Sequence, residues 1–209
     1  GMLSKAAAHG YLIKTFDVAA AFTSVDRTGL PDLYLRPPIE MGYDITKAFH
    51  LKRNLYGFAH SPRAFYDDYA NFIINDLGFT RCAYDKTLFK RRTAKGITYM
   101  SMYVDDALVI ASTEEAWQEL LTEIQNKYTL SSVGDAHLHL GLTIQYDRKQ
   151  GILSLGNTKY IEQIATRFNI PLDCKEKTPF KTPKTRLYPG SLTGEPVVGL
   201  REQHAYRAG

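Results

Sequence analysis

Cysteine is nearly missing from this chain: Cys82 and Cys174 stand far apart among 209 residues. They lack the spacing of a zinc site and do not make a disulfide framework, so a reducing, intracellular setting is expected. Tryptophan occurs once, at Trp117. No apolar run approaches the roughly 20 residues a membrane helix needs. The start has no basic segment leading into an apolar one, so no secretory signal is expected. No internal repeat is visible. Charge is close to balanced, with 26 Lys and Arg against 22 Asp and Glu and a net charge of +4. That mild excess is compatible with nucleic acid without pointing to it. What the chain does have is core material: 44% hydrophobic residues, including 14 Tyr and 10 Phe. Aromatic rings fill cores and also stack on bases. The length suits one large domain or two small ones.

Patterning along the chain predicts a helix over 2–10 ending at Gly10 and a buried strand over 11–18. A loop-rich excursion over 24–48 follows, with a short strand at Leu33-Tyr34-Leu35. Ser61-Pro62 predicts a helix start with Ser61 as N-cap, and Gly78 predicts its end. Strands are expected in 79–89 and 98–111 around the turn Ala94-Lys95-Gly96. Ser112 and Glu115 have capping-box spacing ahead of a helix with Trp117, Leu120, Leu121, Ile124 and Tyr128 inward. A hairpin over 138–155 and a helix from Thr158, with Tyr160, Ile161, Ile164, Ala165 and Phe168 inward, complete the pattern. From Pro171 the chain is Pro-, Lys- and Thr-rich and reads as an extended linker. Helices that segregate from an antiparallel sheet give an α+β class.

Tyr103-Val104-Asp105-Asp106 sits between apolar strand-like runs. Adjacent carboxylates repel unless a cation lies between them, and hard oxygen ligands suit magnesium. The plain alternative is a solvated turn, where Asp is common. A third carboxylate, Asp17, ends the strand-like stretch Ile13-Lys14-Thr15-Phe16-Asp17. Three aspartates on neighbouring strand ends match the needs of two-metal phosphoryl transfer.

Three segments together resemble the reverse transcriptases of copia-type LTR retrotransposons: Phe16-Asp17-Val18-Ala19-Ala20-Ala21-Phe22, the run Leu55-Tyr56-Gly57 through Pro62-Arg63-Ala64-Phe65-Tyr66, and Tyr103-Val104-Asp105-Asp106. Leu140-Gly141-Leu142-Thr143-Ile144 falls where that family keeps its primer-grip hairpin. The resemblance implies a right-hand polymerase palm, an antiparallel sheet with helices packed on one face. Residues 1–23 would hold the palm's first strand and preceding helix, and 24–60 partial fingers. Residues 61–135 would complete the palm, 136–170 form the primer grip and start of the thumb, and 171–209 link toward ribonuclease H.

By the same resemblance Asp17, Asp105 and Asp106 are catalytic and bind two Mg2+ ions, with Mn2+ as a substitute and the Val18 carbonyl as a further ligand. The ions activate the primer 3′-hydroxyl and neutralise the leaving pyrophosphate. Phe22 falls at the steric gate that excludes ribonucleotides, or is a core ring at a strand end. Gly57 approaches the incoming nucleotide, or is a turn glycine. Arg63 reaches phosphate, or sits on a solvated first turn. Tyr103 lies beside the primer terminus, or packs on the sheet. Gly141 belongs to the nucleic-acid-binding hairpin. Implied partners are an RNA or DNA template with its primer and deoxynucleoside triphosphates, with no membrane. Oligomeric state stays open, and so does residence in cytoplasm, nucleus or an element particle.

Lys86, Lys90, Arg91, Arg92 and Lys95 form a basic cluster that fits either a solvated face or phosphate contacts. His137 and His139 share a strand face but show no third ligand, and read as surface or hairpin residues. Some family positions differ: Ala19 and Ala59-His60 stand where lysine and a Lys-Gln pair are usual. Both ends read as cut, with upstream fingers strands and ribonuclease H missing. These departures motivate an alternative, an inactive or domesticated reverse-transcriptase-like module that binds nucleic acid or protein.

Overall fold

A computed structural model describes residues 1–27, 29–44 and 46–172, so nearly all of the stretch read as a linker lies outside the described residues. The chain forms two compact units, 1–161 and 162–209. In order, the elements are α1 (Met2–His9), β1 (Leu12–Val18), β2 (Tyr34–Leu35), β3 (Phe49–His50), α2 (Ser61–Asn71), β4 (Thr80–Arg81), β5 (Leu88–Thr93), β6 (Gly96–Tyr103), β7 (Asp106–Ala111), α3 (Glu114–Gln125), β8 (Leu130–Asp135), β9 (Leu138–His139), β10 (Leu142–Asp147), β11 (Ile152–Gly156) and α4 (Thr158–Arg167). Short 3-10 turns at Ala21–Ser24 and Ile39–Met41 complete the excursion.

Six strands make one antiparallel sheet in the order β4-β5-β6-β7-β1-β8. A separate three-stranded sheet runs β11-β10-β9. The expected α+β class holds. Strand side chains alternate between faces, and β1 shows both faces at work. Phe16 and Val18 enter the main core with Phe65, Tyr69, Met100, Trp117 and Leu120. Ile13 enters a second core with Ala6, Leu108, Ile110 and Ile144. Helices α2 and α3 therefore cover one face, while α1 and β10 cover part of the other. Asp17, between Phe16 and Val18, belongs by alternation to the face of α1 and β10.

Several local expectations are corrected. Ser61 is the first helical residue rather than the cap; its hydroxyl donates to the Leu55 carbonyl at 2.7 Å, tying the helix start to the preceding loop. The helix does not run evenly to Gly78 but widens into a π turn at Phe72–Asp76. The cap of α3 is Thr113, whose hydroxyl accepts from the Ala116 amide at 3.1 Å. Ser112 instead accepts from the Ile97 amide at 2.8 Å, joining the strand end to the sheet. On α4 the stripe expected to face inward is exposed at Tyr160, Ile161 and Phe168, and Ala165 alone of the described α4 residues is buried.

The basic cluster also divides. Lys90 and Arg92 are exposed, whereas Arg91, on the opposite face of β5, is 6% exposed. It donates to Glu123 at 2.6 Å and to the Leu77 carbonyl at 3.0 Å, pairs with Glu119 at 3.5 Å, and stacks over Phe79. Arg91 is thus a structural clamp from sheet to α3 rather than a phosphate contact. Arg91→Ala is expected to lower stability by roughly 3 kcal/mol, since it strands partners of a buried ion pair. A urea midpoint unchanged from the unsubstituted chain would contradict that.

Candidate active site

Strand pairing brings the first and third segments together. Asp17 is the register partner of Asp106 on antiparallel β1 and β7. Residues directly opposite on such strands lie about 4.5–5.5 Å apart at Cα. By alternation both side chains leave the sheet on the face of α1 and β10, because Leu108 and Ile110 of β7 also enter that second core. Two carboxylates thus share one face at the end of the central strand pair, and both are part-exposed.

Val104 and Asp105 form the two-residue loop between β6 and β7, closed by the Tyr103–Asp106 pair. Val104 has φ +58, a positive value at the first loop position, where glycine is usual. A β-branched residue there is an outlier that costs on the order of 1–3 kcal/mol and marks functional sites more than others. The loop is held by the Val18 amide, which donates to the Asp105 carbonyl at 2.9 Å. Asp105, too, is part-exposed.

Neighbouring strands supply further contacts that the sequence reading missed. The β1–β8 register shifts between Thr15 and Asp17, with Ser132 at φ +52 on the bulged strand. Bulges re-aim side chains beside active sites; here Ser131 donates its hydroxyl to Asp17 Oδ1 at 2.8 Å. Thr15 Oγ1 lies 2.9 Å from the Ala107 carbonyl and 3.3 Å from Asp106 Oδ1. A hydroxyl has one proton, and the shorter contact takes it. The nearest group to the other Asp106 oxygen is His139, with Nδ1 2.9 Å from Oδ2. His139 is therefore neither a surface residue nor a bystander of its hairpin. The one signal available was its place on the same strand face as His137, which is exposed.

Phe22 is buried, its ring centroid 4.5 Å from that of Tyr56 and edge-on to Phe65 at 6.3 Å. Gly57 has φ +91 with open space around a notional Cβ, so conformation rather than crowding calls for glycine there. Arg63 is exposed and donates to Asp67 at 2.7 Å, one turn along α2; the hydrogen bond first, and then the carboxylate's charge, raises its pKa. Tyr103 is exposed. Leu140 and Gly141 both have positive φ in the two-residue turn between β9 and β10, and the space beside Gly141 is open. These five residues are not drawn into the aspartate cluster by any of these contacts.

Among the described residues, no three His, Cys, Asp or Glu side chains already form a metal cage. The donor chemistry still suits a divalent cation: part-exposed carboxylates on one strand-pair end, with a buried His139 Nδ1 that no hydrogen bond satisfies. No helix among the described residues is long and apolar enough to cross a membrane.

The comparisons agree with this arrangement. The model of a family described as "Reverse transcriptase (RNA-dependent DNA polymerase)" matches residues 2–182. The chain is 28% identical over 199 residues, 94% of its length, to the Retrovirus-related Pol polyprotein from transposon RE1 of Arabidopsis thaliana. It is 26% identical over 186 residues, 87% of its length, to the corresponding polyprotein from transposon TNT 1-94 of Nicotiana tabacum. The Transposon Ty1-DR4 Gag-Pol polyprotein of Saccharomyces cerevisiae is 24% identical over 180 residues, 83% of the chain. The aligned regions make up 13%, 13% and 11% of those proteins, so the chain corresponds to a small part of each.

Proposed function

The chain belongs to the reverse transcriptase family and is distantly related to copia-type retrotransposon Pol polyproteins, and from that premise we propose that it carries the palm of an RNA-directed DNA polymerase. The parent protein extends a primer 3′-hydroxyl with deoxynucleoside triphosphates on an RNA or DNA template. The observation that carries this reading is the register pairing of Asp17 with Asp106 beside the Val104-Asp105 turn.

Asp17, Asp105 and Asp106 hold the divalent cations, with the Val18 carbonyl as a further oxygen donor. Two Mg2+ ions, when bound, supply the Lewis-acid chemistry of nucleotidyl transfer. The protein's own part is placement. Ser131 fixes the Asp17 carboxylate, and the Val18–Asp105 backbone bond locks the loop against β1. Catalysis of this kind draws on positioning and preset charge. Residues 24–60 supply part of the fingers, 61–135 complete the palm begun in 1–23, and 136–170 hold the primer grip and thumb start. Tyr103, Arg63 and Gly141 border the duplex, and Phe22 with Gly57 borders the incoming nucleotide.

The test is extension of a DNA primer on an RNA template by the full chain with Mg2+ and deoxynucleotides. Template-directed products support the reading. Salt-sensitive duplex binding without nucleotide addition contradicts it and favours a binding module, a reading motivated by Ala19 and Ala59-His60.

Phe22 gives a sharper prediction for sugar choice. Phe22→Ala is expected to raise ribonucleotide incorporation by about 10-fold or more, since a truncated wall removes a steric check worth that order. The buried ring also packs on Tyr56, so stability falls by about 3 kcal/mol. Unchanged sugar selectivity in an active variant removes Phe22 from the gate.

A further inference from the structure

His139 reaches the aspartate cluster from a different sheet. Strand β9 is two residues long and turns into β10 through Leu140 and Gly141, at φ +49 and +79. Both positive values make a tight turn of the kind found in two-residue hairpins. Strand β10 is anchored by Ile144 in the second core and by Tyr146, which packs against that core and donates its hydroxyl to the Ala6 carbonyl at 3.0 Å. Leu138, Leu140 and Leu142 are exposed while His139 between them is turned inward, its side chain only 11% exposed. An apolar residue would ordinarily take the buried place and a histidine the exposed one.

Nδ1 of His139 lies 2.9 Å from Asp106 Oδ2, which is hydrogen-bond distance. It is nevertheless a buried nitrogen without a hydrogen-bond partner, so distance and alignment disagree. Alignment decides the matter, because a hydrogen bond weakens steeply when its angle fails. A nitrogen and a carboxylate oxygen held this close without sharing a proton have the spacing of two donors on one ion. Adjacent ligands of an octahedral cation with bonds of about 2.1 Å lie about 3 Å apart.

We propose that His139 is a nitrogen ligand, through Nδ1, to the divalent cation held by Asp106, giving this site a mixed nitrogen and oxygen shell that favours Mn2+ over Mg2+. Magnesium takes oxygen ligands and keeps its waters, whereas imidazole binds transition ions more strongly. The inference rests on the carboxylate assignment made under the proposed function.

Mn2+ binding to the full chain, followed by the loss of the free-ion electron paramagnetic resonance signal and by competition with Mg2+, tests it without any need for activity. The expected result is a preference for Mn2+ that falls by roughly 10-fold or more in His139→Phe, with Mg2+ affinity little changed. Pulsed resonance on the unsubstituted chain should show coupling of the bound Mn2+ to an imidazole nitrogen, which keeps the test valid if the variant fails to fold. Mn2+ bound through the aspartates with no nitrogen coupling overturns the His139 assignment alone. Tighter binding of both ions in His139→Phe also overturns it, since the ring would then be a plug. Mn2+ binding that survives Asp17→Asn and Asp106→Asn overturns the carboxylate assignment as well.

Discussion

Asp17→Asn is expected to cut primer extension by at least ~10³-fold while leaving the fold intact. Loss of a preset charge at a site of developing charge costs on that order or more. The substitution is close to isosteric, and the amide oxygen still accepts from Ser131, which donates to Asp17 Oδ1 at 2.8 Å. The register with Asp106 depends on backbone pairing and does not need the charge. Stability should therefore shift by less than about 1 kcal/mol. Steady-state extension beside a urea titration separates the two effects. An active Asp17→Asn chain would mean that the pairing with Asp106 is ordinary sheet structure.

Phe16→Ala should have the largest effect on stability, about 3–5 kcal/mol, as truncating a fully buried aromatic leaves a cavity. Phe16 is 0% exposed and faces Trp117 across a centroid distance of 6.4 Å. Against a typical total of roughly 5–15 kcal/mol, such a loss consumes much of the margin. The consequence for function is direct, because Phe16 pins the residue next to Asp17. The urea midpoint should fall sharply with an unchanged slope. A shift worth less than about 1 kcal/mol would mean that β1 is held mainly by its two strand neighbours.

The parts of this molecule that were legible in sequence are those governed by local pattern. The apolar runs flanking Asp105-Asp106 gave β6 and β7, and the strand ending at Asp17 gave β1. The class followed from the alternation of helices and hairpins. What pattern could not give is which strands lie side by side. Asp17 meets Asp106 because β1 enters between β7 and β8, a long-range pairing with no local signature. The bulge opposite Thr15 and Asp17 has the same origin: Ser131 and Ser132 read as turn-prone residues, and only pairing shows that one of them is aimed at Asp17. Arg91 looked like one cation in a run of five until strand alternation turned it toward α3. Thr113 and Ser112 compete for the same cap by sequence, and the Ile97 amide decides between them. His139 was passed over for want of a third ligand nearby in sequence, whereas its partner Asp106 comes from another sheet.

Localised cleavage by bound iron tests the central claim most directly. Fe2+ placed in the divalent site with ascorbate and peroxide cuts the polypeptide nearest the ion. The account predicts two zones of cleavage, around Asp17 and around Asp105 and Asp106, both suppressed by excess Mg2+ and both lost in the Asp105→Asn, Asp106→Asn double variant. Cleavage confined to other parts of the chain, or unchanged in that variant, would contradict the assignment of these three aspartates as the site of metal-dependent chemistry.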